Sequence, residues 1–322
     1  MFTSDRSDEI SSNESNDDDD DERRRKLMIP VRSLSGSSSG SSSNNGLGEV
    51  EERLRLDNFY FKRPRFAIVL IHGLFGFDKI GFLEYWKGIK KSLDKVGVEV
   101  YIASVPATAS IESRAIKLQE FIEKHLSGRK VNLIGHSMGG LDCRYLISIL
   151  KPKTFQVVSL TTITTPHRGC SFADYLCLDI IGSKRLPILL KFLKTINIPG
   201  GGEAFEQLTI KNMKDFNEVV IDDPNVSYYS YGAYFKPDIS RFFRLSWYIV
   251  KKREGLNDGL VSIKSAAWGD YQGTLAGVHH LDVVGWTAKV RSLKTRMFSE
   301  RPAFDVTSFY LDVIEGIAYS GF

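Results

Sequence analysis

From about Phe61 onward, short apolar runs alternate with stretches whose apolar residues recur every three or four positions. Phe66–Ile71 reads as a buried strand, and Phe82, Tyr85, Trp86, Ile89, Leu93 and Val96 then follow helical spacing until Gly97 stops the run. Val98–Val105 predicts a second strand, 111–126 a helix, Val131–Gly135 a third strand, 138–150 a helix and Val157–Thr165 a further strand. Val226–Tyr231 has strand character, and a helix over about 309–317 either packs on the sheet or serves a partner. No internal repeat is present. Strand and helix in alternation imply a mostly parallel central sheet covered by helices on both faces.

The first fifty residues break this pattern. An acidic run (Asp17–Glu22), a basic run (Arg23–Lys26) and a Ser/Gly tract (Ser33–Gly46) leave too little apolar surface to offset the entropy of ordering, so 1–50 is expected to be a disordered tail and 51–322 the folded domain. That tail carries eleven acidic and six basic residues, a net of −5, which leaves the folded domain at +9 although the whole chain is only +4. A domain of that charge is drawn to anionic lipid, or simply wears a solvated basic face. Hydrophobic residues at 42%, charged residues at 25% and a mean hydropathy of −0.17 fit a globular enzyme. No apolar run reaches the ~18 residues of a spanning helix. Cys143, Cys170 and Cys177 are too few and too scattered for a disulfide framework, which points to a reducing, intracellular compartment. The N-terminus lacks an apolar signal core and is too acidic for an ordinary transit peptide, so secretion is not expected.

Candidate chemistry begins at Gly135-His136-Ser137-Met138-Gly139, a G-x-S-x-G sequence lying directly after an apolar strand and directly before an amphipathic helix. That context makes it a nucleophile elbow, with small residues on either side of the serine letting strand and helix approach, and Gly140 adding a close-packing position. A serine hydroxyl needs a histidine to take its proton and an acid to orient that histidine, in the chain order Ser, acid, His. Only His279 and His280 lie well downstream with a candidate acid before them, and Asn257-Asp258-Gly259-Leu260-Val261 reads as a turn that closes onto a strand and presents Asp258 at a strand end. His136 faces away from the serine on such an elbow, His125 reads as a surface residue and His167 as a loop anchor. His72-Gly73-Leu74 follows the first strand, where this fold places one oxyanion-hole amide; the other belongs to Met138, while His72 shapes its loop.

Taken in order, His72–Lys79, Gly135–Asp142, Thr165-Pro166-His167-Arg168-Gly169, Asn257–Ser262 and His280-Leu281-Asp282 resemble the bacterial true triacylglycerol lipases and, more closely, the fungal mitochondrial branch of that α/β-hydrolase superfamily, over about 62–320. The resemblance implies Ser137 as nucleophile, Asp258 as acid and His280, followed by Leu-Asp, as base, with oxyanion amides on Leu74 and Met138. It implies no required cofactor, with a structural calcium as a possibility at Asp282; the second carboxylate ligand has no clear counterpart, since Asp238 lies in the approximate region but Lys236-Pro237-Asp238-Ile239 does not match the family pattern, and the alternative is that Asp282 braces its loop. It also implies a mitochondrial location, with lipid droplet and endoplasmic reticulum as competitors.

Between Pro166 and Val226 lies a dense apolar series from Phe172 to Ile198, interleaved with Lys184, Arg185, Lys191 and Lys194 and followed by Gly200-Gly201-Gly202. It reads as a helical lid over about 170–215 that meets lipid and hinges at the glycines, or as packed cap helices without movement. The expected partner is a lipid ester at an oil or membrane interface, cleaved through an acyl-serine, with peripheral membrane contact. A phospholipase or phospholipid acyltransferase on the same triad, and a non-catalytic membrane scaffold, are the alternatives. Nucleic acid is not an expected partner, because no aromatic-basic groove is evident.

Overall fold

Ala67–Ile71 is a run of apolar residues with no polar alternate, which suits a strand buried on both faces, and all five are buried. It forms β2 of the computed structural model, which describes residues 28–29, 61–74, 85–86, 88–180, 203–237, 243–285 and 304–322. The other strands are β1 (Met28–Ile29), β3 (Val100–Ala103), β4 (Lys130–His136), β5 (Gln156–Ile163), β6 (Ser227–Tyr234) and β7 (Asp270–Ala276). They make one sheet in the order β1-β7-β6-β5-β4-β2-β3 with every pair parallel, as the alternating pattern predicts. Within the segment expected to be a tail, Met28–Ile29 pairs with Thr274 and Leu275 at the outer edge of β7. The rest of 1–60 lies outside the described residues.

Helices α1 (Ile89–Lys95) and α9 (Val306–Tyr319) cover one face of the sheet, where Trp86, Leu93, Tyr310 and Ile314 pack on Ile68 and Leu70. On the other face, α2 (Ile111–Leu126) and α3 (Met138–Tyr145, continued by a wider π-type turn to Leu150) bring Leu118, Ile122 and Leu146 against Val69 and Leu133. Ser110 caps α2 by accepting from the Ser113 N–H, so this helix runs over its predicted span. α1 is shorter than the apolar spacing suggests, because Gly88 at φ 86° interrupts the series and leaves Tyr85 and Trp86 in a turn before the helix. The C-terminal helix packs on the sheet.

Beyond β5 come α4 (Ser171–Asp174, widening into a π-type turn to Ile180), α5 (Glu203–Gln207), α6 (Ile210–Val219), α7 (Arg244–Arg253) and α8 (Ile263–Ala266). The described ends of the expected lid are helical, whereas 181–202, with most of its basic residues and its Gly200–Gly202 hinge, lies outside the described residues. The segment after Asp258 is not the expected strand. Asp258 Oδ1 accepts from the Leu260 and Val261 N–H groups, Asn257 bridges to Ser262, and the Ser262 hydroxyl caps α8, so the chain turns directly into a helix. Among the described residues no helix is long and apolar enough to cross a membrane.

The junction of β4 and α3 is the tightest place in the fold. A Cβ on Gly135 would stand 2.5 Å from the Gly140 amide nitrogen, and one on Gly139 would stand 2.6 Å from the Ile71 carbonyl oxygen. Those neighbours are backbone and cannot swing aside. Gly135→Ala is therefore expected to lower the unfolding free energy by about 1–3 kcal/mol, as measured by urea denaturation.

Candidate active site

Ser137 sits between those glycines at φ 54° and ψ −130°, a conformation that L-residues avoid and that costs on the order of 1–3 kcal/mol. Its backbone is held there from three directions. The Ser137 N–H donates to Ile163 O at 2.9 Å, while Ser137 O accepts from the Thr165 hydroxyl at 2.8 Å and from the Gly140 N–H at 3.1 Å. The side chain is thereby raised above the C-terminal edge of the sheet, and Ser137 as a whole is 7% exposed.

His280 and Asp258 arrive from loops after β7 and α7. His280 Nε2 stands 3.0 Å from Ser137 Oγ, and His280 Nδ1 stands 2.7 Å from Asp258 Oδ2. With Nδ1–H donating to the carboxylate, Nε2 is left to accept the serine proton. Asp258 is fully buried, its other oxygen holding the two turn amides, and its backbone carbonyl accepts from the His280 N–H at 2.8 Å. Acid and base are thus coupled through both side chain and main chain.

The loop His72-Gly73-Leu74 passes directly against the serine. A Cβ on Gly73 would meet Ser137 Cβ at 2.7 Å, so only glycine lets the Leu74 amide come alongside. Met138 is the first residue of α3, where a backbone N–H has no acceptor within the helix. The remaining histidines divide as expected. His72 takes the Val105 N–H on Nε2 and contacts Gly73 O through Nδ1, His125 is exposed on α2 and bonds Phe121 O, and His167 bonds the Thr162 hydroxyl and stacks on Trp268.

His279 points away from the serine. Its Nε2 lies 3.3 Å from Asp282 Oδ1, its N–H donates to Asp282 Oδ2 at 3.1 Å, and its Nδ1 accepts from the Leu281 N–H at 3.2 Å. Both oxygens of Asp282 thus face His279, which ties the turn that carries His280. Asp238, the other carboxylate considered for calcium, lies outside the described residues. Calcium takes six to eight oxygens, and among the described residues no group of three or more His, Cys, Asp or Glu converges on a metal position. Among the described residues, Asp282 braces its loop through His279.

Two buried polar assemblies were not read from the sequence. In one, the Arg114 side chain of α2 donates through Nε to Asp142 of α3 at 2.9 Å, through one terminal nitrogen to Pro106 O at 2.7 Å and through the other to His72 O at 2.7 Å. Arg114 and Asp142 are both fully buried, and burial pushes the Asp142 carboxyl up to about 6 with Arg114 opposing the rise. The guanidinium therefore joins the oxyanion-side loop to the helix that begins at the nucleophile. A charged residue on the apolar stripe of Ile111, Ala115, Leu118 and Ile122 was the available signal.

In the other, the Tyr85 hydroxyl accepts from the Gly73 N–H at 3.1 Å and lies 2.5 Å from His136 Nδ1, while His136 Nε2 lies 3.1 Å from the His280 carbonyl oxygen. A carbonyl only accepts, so Nε2 carries the proton, Nδ1 accepts from the phenol, and the bonds run in one direction from Gly73 to His280. Burial holds the Tyr85 phenol well above its usual range and, with the neighbouring His280, drives His136 well below its own. His136 is therefore neutral, with its ring centroid 4.8 Å from that of His280, and adds no charge beside the base. Tyr85→Phe removes the hydroxyl that serves both Gly73 and His136. It is expected to cost about 1–3 kcal/mol of stability per stranded group, read by urea denaturation, and to lower kcat on a soluble ester more than it raises KM.

Comparison with known proteins bears on the family and the fold. The alpha/beta hydrolase fold family matches residues 67–169, which contain the Gly73 loop, the Ser137 elbow and the Arg114–Asp142 pair. Triacylglycerol lipase 2 of Saccharomyces cerevisiae is 36% identical over 314 residues, covering 81% of this chain and 94% of the yeast protein. A triacylglycerol lipase of Vibrio cholerae is 35% identical over 191 residues, covering 54% of this chain and 60% of the bacterial one. Among solved structures, the Staphylococcus hyicus lipase superposes with a TM-score of 0.62 at 22% identity, covering 80% of this chain and 98% of that one, which bears on the fold alone. With more than a third of its residues identical across nearly the full length of the yeast protein, the chain belongs to the triacylglycerol lipase family of α/β-hydrolase fold enzymes.

Proposed function

We propose that the protein hydrolyses triacylglycerol, releasing fatty acid through an acyl-serine on Ser137. The observation that carries this reading is the unbroken run of hydrogen bonds Ser137 Oγ, His280 Nε2, His280 Nδ1 and Asp258 Oδ2 on a strained elbow. Kinship with proteins named triacylglycerol lipases supports the substrate class.

In the proposed sequence Ser137 Oγ attacks the ester carbonyl carbon as its proton passes to His280 Nε2, and Asp258 stabilises the imidazolium that results. The tetrahedral oxyanion lies against the amides of Leu74 and Met138, where one such donor is worth about 3 kcal/mol. Collapse breaks the ester C–O bond, and Nε2 returns its proton to the leaving diacylglycerol oxygen. Water then attacks the acyl-enzyme, giving a proton to His280, and the second tetrahedral species expels Ser137 Oγ, which recovers it. All proton transfers are served by protein groups and water, and no cofactor is required.

The substrate arrives at an oil or membrane interface, with which the protein makes peripheral contact. The intracellular, mitochondrial placement proposed with this activity is supported by the likeness of the five motifs to the fungal mitochondrial branch. Fractionation into mitochondria, lipid droplets and endoplasmic reticulum tests it, and enrichment in either of the last two would displace it.

The full chain is expected to release fatty acid from emulsified long-chain triacylglycerol, with or without chelator, and Ser137→Ala to abolish that release while keeping its cooperative unfolding. Release from a phospholipid emulsion alone would leave the triad in place and move the activity to phospholipase. Loss of release on chelation would reinstate a metal. His280→Ala is expected to abolish turnover and His279→Ala to spare most of it, because His279 braces the turn and does not reach Ser137. The reverse ranking in a soluble-ester assay would overturn the assignment of the base.

A further inference from the structure

Helix α7 turns two different faces inward and outward. Ser246 and Val250 are buried, and the inner face packs on α4, with Val250 in the same apolar cluster as Met138 and Leu141 of the helix that begins at the nucleophile. Phe243, just before the helix, packs its ring 5.4 Å from that of His279. Trp247 fastens the helix by donating from Nε1 to Phe235 O at 2.8 Å, and Glu254 turns inward to accept from the Ser171 N–H and the Ser262 hydroxyl. Asn257 Nδ2 donates to Trp247 O at 3.3 Å, one residue before Asp258. The helix is thus a fixed part of the edge that carries Ser137, Asp258 and His280.

Its outer face is apolar and basic together. Leu245 is 59% exposed, Tyr248 64% and Leu256, in the turn that follows, 41%. Leu245, Tyr248 and Lys252 share one stripe of the helix, with Arg244 and Lys251 beside it, and no acidic residue lies between Arg244 and Arg253. Single exposed leucines are ordinary. Here two large apolar side chains stand among exposed cations on a helix that is already anchored on its other side. Apolar bodies below, an amphipathic tyrosine at headgroup level and long lysine stems that keep their ammonium groups among phosphates are the arrangement that an anionic lipid surface selects. The folded domain's +9 charge has the matching sign.

We propose that the outer face of α7, centred on Leu245, Tyr248, Lys251 and Lys252, is the surface by which this protein docks on an anionic lipid interface. The proposal rests on the reading of the site as one for lipid esters, and it gives that reading an orientation: the helix that touches lipid shares an apolar cluster with the helix of the elbow and leads into the acid turn.

The test uses the full-length Ser137→Ala protein, so that vesicles survive, and co-sedimentation with vesicles of phosphatidylcholine alone or mixed with phosphatidylglycerol. Binding is expected to the mixed vesicles and to weaken with added salt. Lys251→Gln with Lys252→Gln should weaken it roughly ten- to thirtyfold on mixed vesicles and little on neutral ones. Leu245→Ser with Tyr248→Ser should weaken it roughly tenfold or more on mixed vesicles. In an otherwise wild-type chain both pairs should leave hydrolysis of a soluble short-chain ester unchanged, since none of the four residues belongs to the triad or the oxyanion loop. Binding by both variants equal to that of the parent would overturn the proposal even if the wild type hydrolyses triacylglycerol. Absence of vesicle binding by the parent would also overturn it and leave the face to a protein partner. Vesicle binding that depends on α7 in a chain inactive on triacylglycerol would uphold the docking and sink the substrate reading alone.

Discussion

The backbone of Ser137 is the constraint from which the catalytic edge follows. At φ 54° it lies in a region that repels a side chain, and it stays there because β4 and α3 meet too closely for any other path. That closeness requires glycine at 135 and 139, and the strand that supplies it requires β2 and β5 on either side to carry its hydrogen bonds. The strain is offset by the whole parallel sheet, so the reactive hydroxyl is displayed by the most deeply buried part of the molecule. A loop could place a serine at the same point but could not hold it in that conformation.

Around this fixed point the other groups are aligned by buried polar contacts. Arg114 binds the carbonyl of His72 and the carboxylate of Asp142 at once, and Tyr85 and His136 connect the amide of Gly73 to the carbonyl of His280. Such groups lose their hydration on folding and recover little net energy from their pairing. They have directionality, which apolar packing lacks. A leucine core would fill the same volume and let the Gly73 loop slide by a few tenths of an ångström, enough to misplace an oxyanion donor.

The sheet and the elbow were legible because their signals are local: continuous apolar runs, a cap at Ser110, and glycines at fixed offsets from a serine. Asp258 and His280 were legible through chain order and motif resemblance, although the turn after Asp258 leads to a helix and not to a strand, since its carboxylate and Ser262 organise the local amides. β7 and α7 were missed for opposite reasons. Asp270–Ala276 is half polar and contains Gly273, and so lacks the buried-strand signature, while Arg244–Arg253 hides its apolar stripe among basic residues. The Tyr85–His136 contact spans fifty-one residues of sequence, and no spacing rule reaches across it.

The site also joins distant parts of the chain. Ser137 and His280 are separated by 143 residues, and β6, α7 and β7 are threaded between them, so the hydrogen bond that primes the serine is among the longest-range contacts in the fold. An elbow with only β2, β4 and β5 in place would hold an inert alcohol, since His280 and Asp258 lie beyond β6. The triad is complete only when the far edge of the sheet has closed, which makes hydrolysis an all-or-none reporter of the finished domain.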